Sequence, residues 1–225
     1  MPSKGSCLVA VSSAASVDTN YTGSVSVTSF IQAVQLLEHN GFSVEVATPN
    51  AAPPEFHYPD EASVSWLKEH NQLLAHPLST AELIKQESNI VKYCGLVLPS
   101  SIGGVSDLSN DVSLGNLVRQ FQSAQKPICA IGFGVTGLCK AFNENDKWCF
   151  SGWNLTAISN FETARFPYFS KLPLIIEDYI KDHGGFYNCS DVDETHVIID
   201  RTLITGQNEQ STALAVQNFI WLCSQ

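Results

Sequence analysis

The stretch Lys126-Pro-Ile-Cys-Ala-Ile-Gly-Phe-Gly-Val-Thr-Gly-Leu138 decides the fold. Pro127 to Ile131 is a short apolar run of the length of a buried strand. Gly132 follows as a tight turn, and a helix is expected to begin near Val135. In an open α/β sheet such a turn lies at the carboxyl ends of the strands, where ligands and reacting groups collect. Hydrolases with this geometry place Ser or Cys at the corner, because the sharp turn exposes that one side chain above the sheet. The corner here is Gly132, which has no side chain to attack with.

Working outward, Cys7 to Ser13 reads as the first strand and residues 14–23 as a loop. Val25 to His39 carries Val27, Phe30, Ile31, Val34 and Leu37 at helical spacing, and Asn40-Gly41 closes it. Phe42 to Thr48 is a strand stopped by Pro49. Residues 49–60 hold four prolines and form an irregular excursion, followed by short helical pieces around 61–70 and 79–87. Tyr93 to Leu98 is a strand, Ser100 to Asp107 a loop and Ser113 to Ala124 a helix. Beyond the corner, Trp148 to Trp153 suggests a short strand or hairpin, and Leu172 to Asp182 an amphipathic helix. Val197 to Ile199 and Leu203 to Thr205 are short strands, and Gln210 to Cys223 is the last helix. Strands bracketed by helices imply a parallel sheet. The expectation is one domain over 1–225: α/β, doubly wound, with a mostly parallel sheet between helices.

The chain of 225 residues carries 12 basic and 22 acidic residues, a net charge of −10. Nucleic-acid backbones and anionic membranes are bound by cationic surfaces, so direct contact with either is not expected. The seven cysteines include no C-x-x-C pair and no zinc-like spacing, which suits a reducing compartment. The opening residues lack the apolar run of a signal peptide, and no stretch is long enough to span a membrane. A cytoplasmic protein without a metal or cofactor is expected.

Gly132-Phe-Gly-Val-Thr-Gly137 matches G-x-G-x-x-G after a strand. No acidic residue closes the next strand about 20 positions on to hold a ribose, so a turn and packing role outweighs nicotinamide binding. Cys129, three residues before the corner, should point into the core, and Cys139 should pack beyond it. None of the six histidines has metal-ligand spacing to another. Glu177-Asp178 reads as a solvated pair in preference to a pocket pair. Ser100-Ser101, backed by Gly103-Gly104, could place backbone N–H groups over the corner as an oxyanion site. Thr205-Gly-Gln-Asn208 reads as an architectural turn.

The first strand and helix, Gly95-Leu-Val-Leu-Pro-Ser-Ser101, Lys126 to Leu138, and Arg201-Thr-Leu-Ile-Thr-Gly-Gln-Asn208 together resemble the PfpI/ThiJ superfamily, with its flavodoxin-like, class I glutamine amidotransferase-like fold. Lys126-Pro-Ile-Cys-Ala130, Leu172 to Asp178 and Leu203 to Asn208 carry a more specific likeness to its glutamine amidotransferase-like class 1 domain-containing branch. Active superfamily members carry Cys at the corner, commonly followed by His, and an acidic residue after the first strand. This chain has Gly132, Phe133 and the small residues Ser12 to Ser16 instead, with Ser100-Ser101 where Gly-Gly is usual. The departures imply no catalytic residues and a vestigial pocket of Ser16, Ser100, Ser101, Gly132 and Phe133. The resemblance implies a homo-oligomer, a tetramer in that branch. It also implies membership of a multi-subunit complex peripheral to early endosomes, recruited by a small GTPase and linked to mRNA transport. The alternative is a residual hydrolase or glyoxalase-type enzyme, or a small-molecule sensor, using a non-standard pocket residue.

Overall fold

Seven strands form the central sheet of the computed structural model, which describes residues 4–14, 24–57, 59–85 and 88–225. They are β1 (Ser6–Ala10), β2 (Ser43–Thr48), β3 (Leu78–Ser79), β4 (Tyr93–Leu98), β5 (Ile128–Ile131), β6 (Val197–Asp200) and β7 (Leu203–Gly206). Their order is β6-β7-β5-β4-β1-β2-β3, and every neighbouring pair is parallel except β6–β7. The chain runs outward from β1 to β3, then crosses back to β4 beside β1. That reversal is a topological switch point, and the crevice above it is where open α/β sheets take ligands.

Side chains alternate across the sheet, so each strand supplies two cores. Cys7, Val9, Cys129, Ile131 and Ile204 face α1 (Val27–His39) and the C-terminal helix (Thr212–Cys223), where Phe30 and Phe219 are fully buried. Leu8, Ala10, Leu96, Leu98 and Ala130 face the opposite way, onto the helix Val112–Ser123 and the aromatic segment beyond the corner. Burying each large side chain contributes roughly 1.5–3 kcal/mol. Lys126 anchors the entry to β5 by donating to the carbonyls of Ile90, Val91 and Tyr93 at 2.8, 3.0 and 2.5 Å.

Several elements differ from the sequence expectation for local reasons. The first strand ends at Ala10, not Ser13. The short helices after the proline-rich excursion are Glu61–Glu69, Asn71–Ala75 and Thr80–Leu83. No α-helix starts near Val135; Gly132–Leu138 is a 3-10 coil, drawn tight against the sheet. A Cβ on Gly134 would stand 2.1 Å from the Leu98 carbonyl oxygen, so the chain passes too close for a helix of ordinary radius. Trp148 to Trp153 is not a strand: Ser151 N–H donates to Trp148 and Trp153 N–H to Phe150, giving consecutive turns. The helix expected over 172–182 spans only Ile176–Asp182, because Pro173 biases Leu172 towards extended backbone. Of the loop over 14–23, residues 15–23 lie outside the described residues. No helix among the described residues is long and apolar enough to cross a membrane.

Candidate functional site

The corner keeps the shape of a nucleophile elbow. Gly132 has φ +54°, the left-handed region that an elbow residue is forced into and that glycine adopts without cost. A Cβ at this position would lie 2.7 Å from Ser100 Oγ, so the serine hydroxyl occupies the space beside the absent side chain. Phe133 N–H, the donor that in an elbow serves the oxyanion, points at Ser100 Oγ at 3.4 Å. Ser100 N–H is not directed over the corner as expected: it donates to Ser29 Oγ at 3.1 Å. Both donors that would form an oxyanion site are thus satisfied within the protein.

A cavity of about 410 Å³ opens above this corner. The segments following β1, β4, β5 and β7 contribute to it through Ser26, the N-cap of α1, and through Ser100, Phe133 and Asn208. Of the five residues singled out in the sequence, Ser100 and Phe133 line the cavity, while Gly132 sits beneath Ser100. Ser101 does not line it: the side chain is fully buried and donates to the Pro99 carbonyl, because its backbone bridges to Val25. Ser16 lies outside the described residues.

The residue that organises the cavity was missed in the sequence. Glu162 is 5% exposed and lines it. One carboxylate oxygen accepts from Ser159 N–H (3.0 Å), Ser159 Oγ (2.8 Å) and Gln207 Nε2 (3.0 Å). The other accepts from Asn208 Nδ2 (2.8 Å) and Asp193 N–H (3.2 Å). Ser159-x-x-Glu162 is a capping box, legible in the sequence from its spacing. A carboxylate has about four lone-pair positions, and five donors leave none to take a proton from a substrate. Gln207 and Asn208, read as an architectural turn, are that turn and also the clamp on Glu162.

Other expected groups are placed away from chemistry. Glu177 accepts from Asn160 N–H at 2.7 Å and pairs with Lys181; Asp178 accepts from Asn160 Nδ2 at 3.0 Å. Glu177 is half-buried and caps a helix, Asp178 is exposed to solvent as the sequence predicts, and neither lines the cavity. A carboxylate does serve the end of β1, from the loop after β4: Asp107 accepts from Ser13 and Ala14 N–H at 2.8 and 3.0 Å. Burial raises its pKa against the pull of these hydrogen bonds. Burial also pushes the thiols of Cys129 and Cys139 well up, so both are inert core groups. In the folded protein neither should react with iodoacetamide at neutral pH, whereas denaturant should expose both; labelling of either in the native state, read by peptide mapping, would contradict this.

Ser190 Oγ and His196 Nδ1 are 2.7 Å apart, a hydroxyl–imidazole pair of which Ser190 lines a second groove. Ser190 N–H is held by Gln207 Oε1 at 2.8 Å. Among the described residues, no group of three or more His, Cys, Asp or Glu side chains could hold a metal ion.

Comparison with solved structures defines the class. The chain superposes on Candida albicans glyoxalase III with a TM-score of 0.78 at 13% identity, covering 99% of this chain and 98% of that one. It superposes on Drosophila melanogaster DJ-1beta with a TM-score of 0.61 at 20% identity, covering 100% and 92%. The fold is the flavodoxin-like, class I glutamine amidotransferase-like fold of the PfpI/ThiJ superfamily. Two full-length relatives narrow it. Glutamine amidotransferase-like class 1 domain-containing protein 1 of Homo sapiens is 38% identical over 223 residues, 99% of this chain and 96% of that protein. The protein of the same name in Danio rerio is 39% identical over 225 residues, 100% of this chain and 99% of that protein. The chain belongs to this glutamine amidotransferase-like class 1 domain-containing family. No family model matches it.

Proposed function

We propose that this chain is a non-catalytic member of its superfamily, serving as an oligomeric subunit of a larger protein complex. The observation that carries the reading is Gly132 at the elbow, with Ser100 Oγ 2.7 Å from where a side chain would begin. An elbow without a nucleophile cannot form the covalent intermediate on which such sites depend. The family likeness extends the reading to a cytoplasmic homo-oligomer, a tetramer, peripheral to early endosomes in a complex linked to mRNA transport. With a net charge of −10, contacts to RNA fall to partner subunits.

Two measurements test this. Light scattering after size exclusion should give more than one subunit. Purified protein should turn over neither methylglyoxal nor glutamine above the rate of a Ser100→Ala variant. A monomer would remove the oligomer claim. Turnover lost on substituting Ser100 would instead favour the second reading, a residual enzyme or sensor using a non-standard residue, which the open cavity of about 410 Å³ keeps in view.

A further inference from the structure

The cavity above Gly132 has a composition that selects a ligand by charge. One wall is aromatic: the Phe133 and Phe166 rings lie 6.1 Å apart at 43°, and Phe166 stacks on Tyr168 at 5.2 Å and 7°. The floor is hydroxylic. Ser100 Oγ and Ser26 Oγ each accept one backbone N–H, from Phe133 and Ser29, which leaves further lone pairs on both oxygens.

Charge is the third property. Among the described residues, Glu162, Asp193 and Glu209 line the cavity, against the one guanidinium of Arg165. Three carboxylates minus one guanidinium leave a formal excess of two negative charges, and protonation of His57, also in the lining, would still leave the balance negative. Arg165 is already bonded to Asp193 at 2.6 Å. Glu162, more than nine-tenths buried, takes all five of its hydrogen bonds from uncharged donors. The Arg165 guanidinium also interacts with Glu162, so one cation serves two carboxylates. The amino end of α1, capped by Ser26 at the cavity edge, opposes the negative excess with only about half a positive charge. The negative field wins.

We propose that this cavity is a non-covalent binding site for a small organic cation with a flat apolar body, of the arylmethylammonium type. The body rests on Phe133 and Phe166. The ammonium group lies in the field of Glu162 and Glu209, donating to Ser26 or Ser100 Oγ. A cation set against aromatic faces gains from the ring quadrupoles as well as from the carboxylates. Anionic ligands meet the same field as repulsion. The proposal rests on the non-catalytic reading, since the ligand is held at an elbow with no nucleophile.

Calorimetric titration of the full-length protein with benzylamine, benzyl alcohol and benzoate separates charge from shape, because the three share a ring and differ in the head group. Benzylamine should bind in the millimolar range or better, benzyl alcohol about tenfold or more weaker, and benzoate not measurably; added salt should weaken the amine. Phe166→Ala and, separately, Glu209→Gln should each weaken benzylamine several-fold. Glu209 is exposed, so its variant tests the charge without disturbing the fold. Equal binding of alcohol and amine, preference for benzoate, or no heat with the amine would overturn the proposal and leave the non-catalytic reading standing. Recovery of chemically altered benzylamine, seen by mass spectrometry, would overturn the non-catalytic reading instead.

Discussion

Glu162→Ala should lower folding stability by about 3–5 kcal/mol, since five donors converge on the carboxylate and each one left buried and unpaired costs about 1–3 kcal/mol. The loss should read as a fall in the urea midpoint at unchanged slope. Hydrogen exchange should quicken at Ser190 and Asp193, because Gln207 and Glu162 tie that loop to the turn after β7. Glu162→Gln keeps one acceptor oxygen but turns a new NH2 towards existing donors, so it should rescue only part of the loss. A change below about 1 kcal/mol for Glu162→Ala would mean that water replaces the carboxylate without strain.

Restoring a thiol at the corner should need two substitutions. Gly132→Cys alone places a Cβ 2.7 Å from Ser100 Oγ, on a backbone with φ +54°. The conformational part alone costs about 1–2 kcal/mol. Gly132→Cys combined with Ser100→Gly removes the close contact and frees Phe133 N–H, which now points at Ser100 Oγ. The double variant should be more stable than the single one. Its new thiol should carboxymethylate much faster than the buried Cys129, as followed by mass spectrometry of the peptide containing position 132. If the single variant proved as stable as the parent, Ser100 would not be the obstacle that its distance indicates.

The central strands were legible because their residues are buried on both faces and read as unbroken apolar runs, as in Tyr93–Leu98 and Ile128–Ile131. The vacant corner was legible too, since a nucleophile is a matter of one residue's identity. The segment from Trp148 to Trp153 was not. Its aromatic residues pack into the core from successive turns, and an apolar run without a fixed period does not announce which backbone carries it. Ser101 was misplaced for a similar reason: adjacent serines look alike in sequence, yet one lines the cavity and the other is turned to Pro99.

From the order of residues alone came the parallel α/β architecture, the family likeness and the missing side chain at position 132. These depend on composition and spacing along the chain, which folding does not alter. Tertiary structure alone decided what fills the space at the corner, which hydroxyls face the cavity and how Glu162 is held. Ser159 is the local half of a capping box, but Asp193, Gln207 and Asn208 come from distant stretches, and only folding brings their donors onto the same carboxylate. Hydrogen bonds act over about 3 Å, so their partners are set by the three-dimensional path and not by the sequence interval.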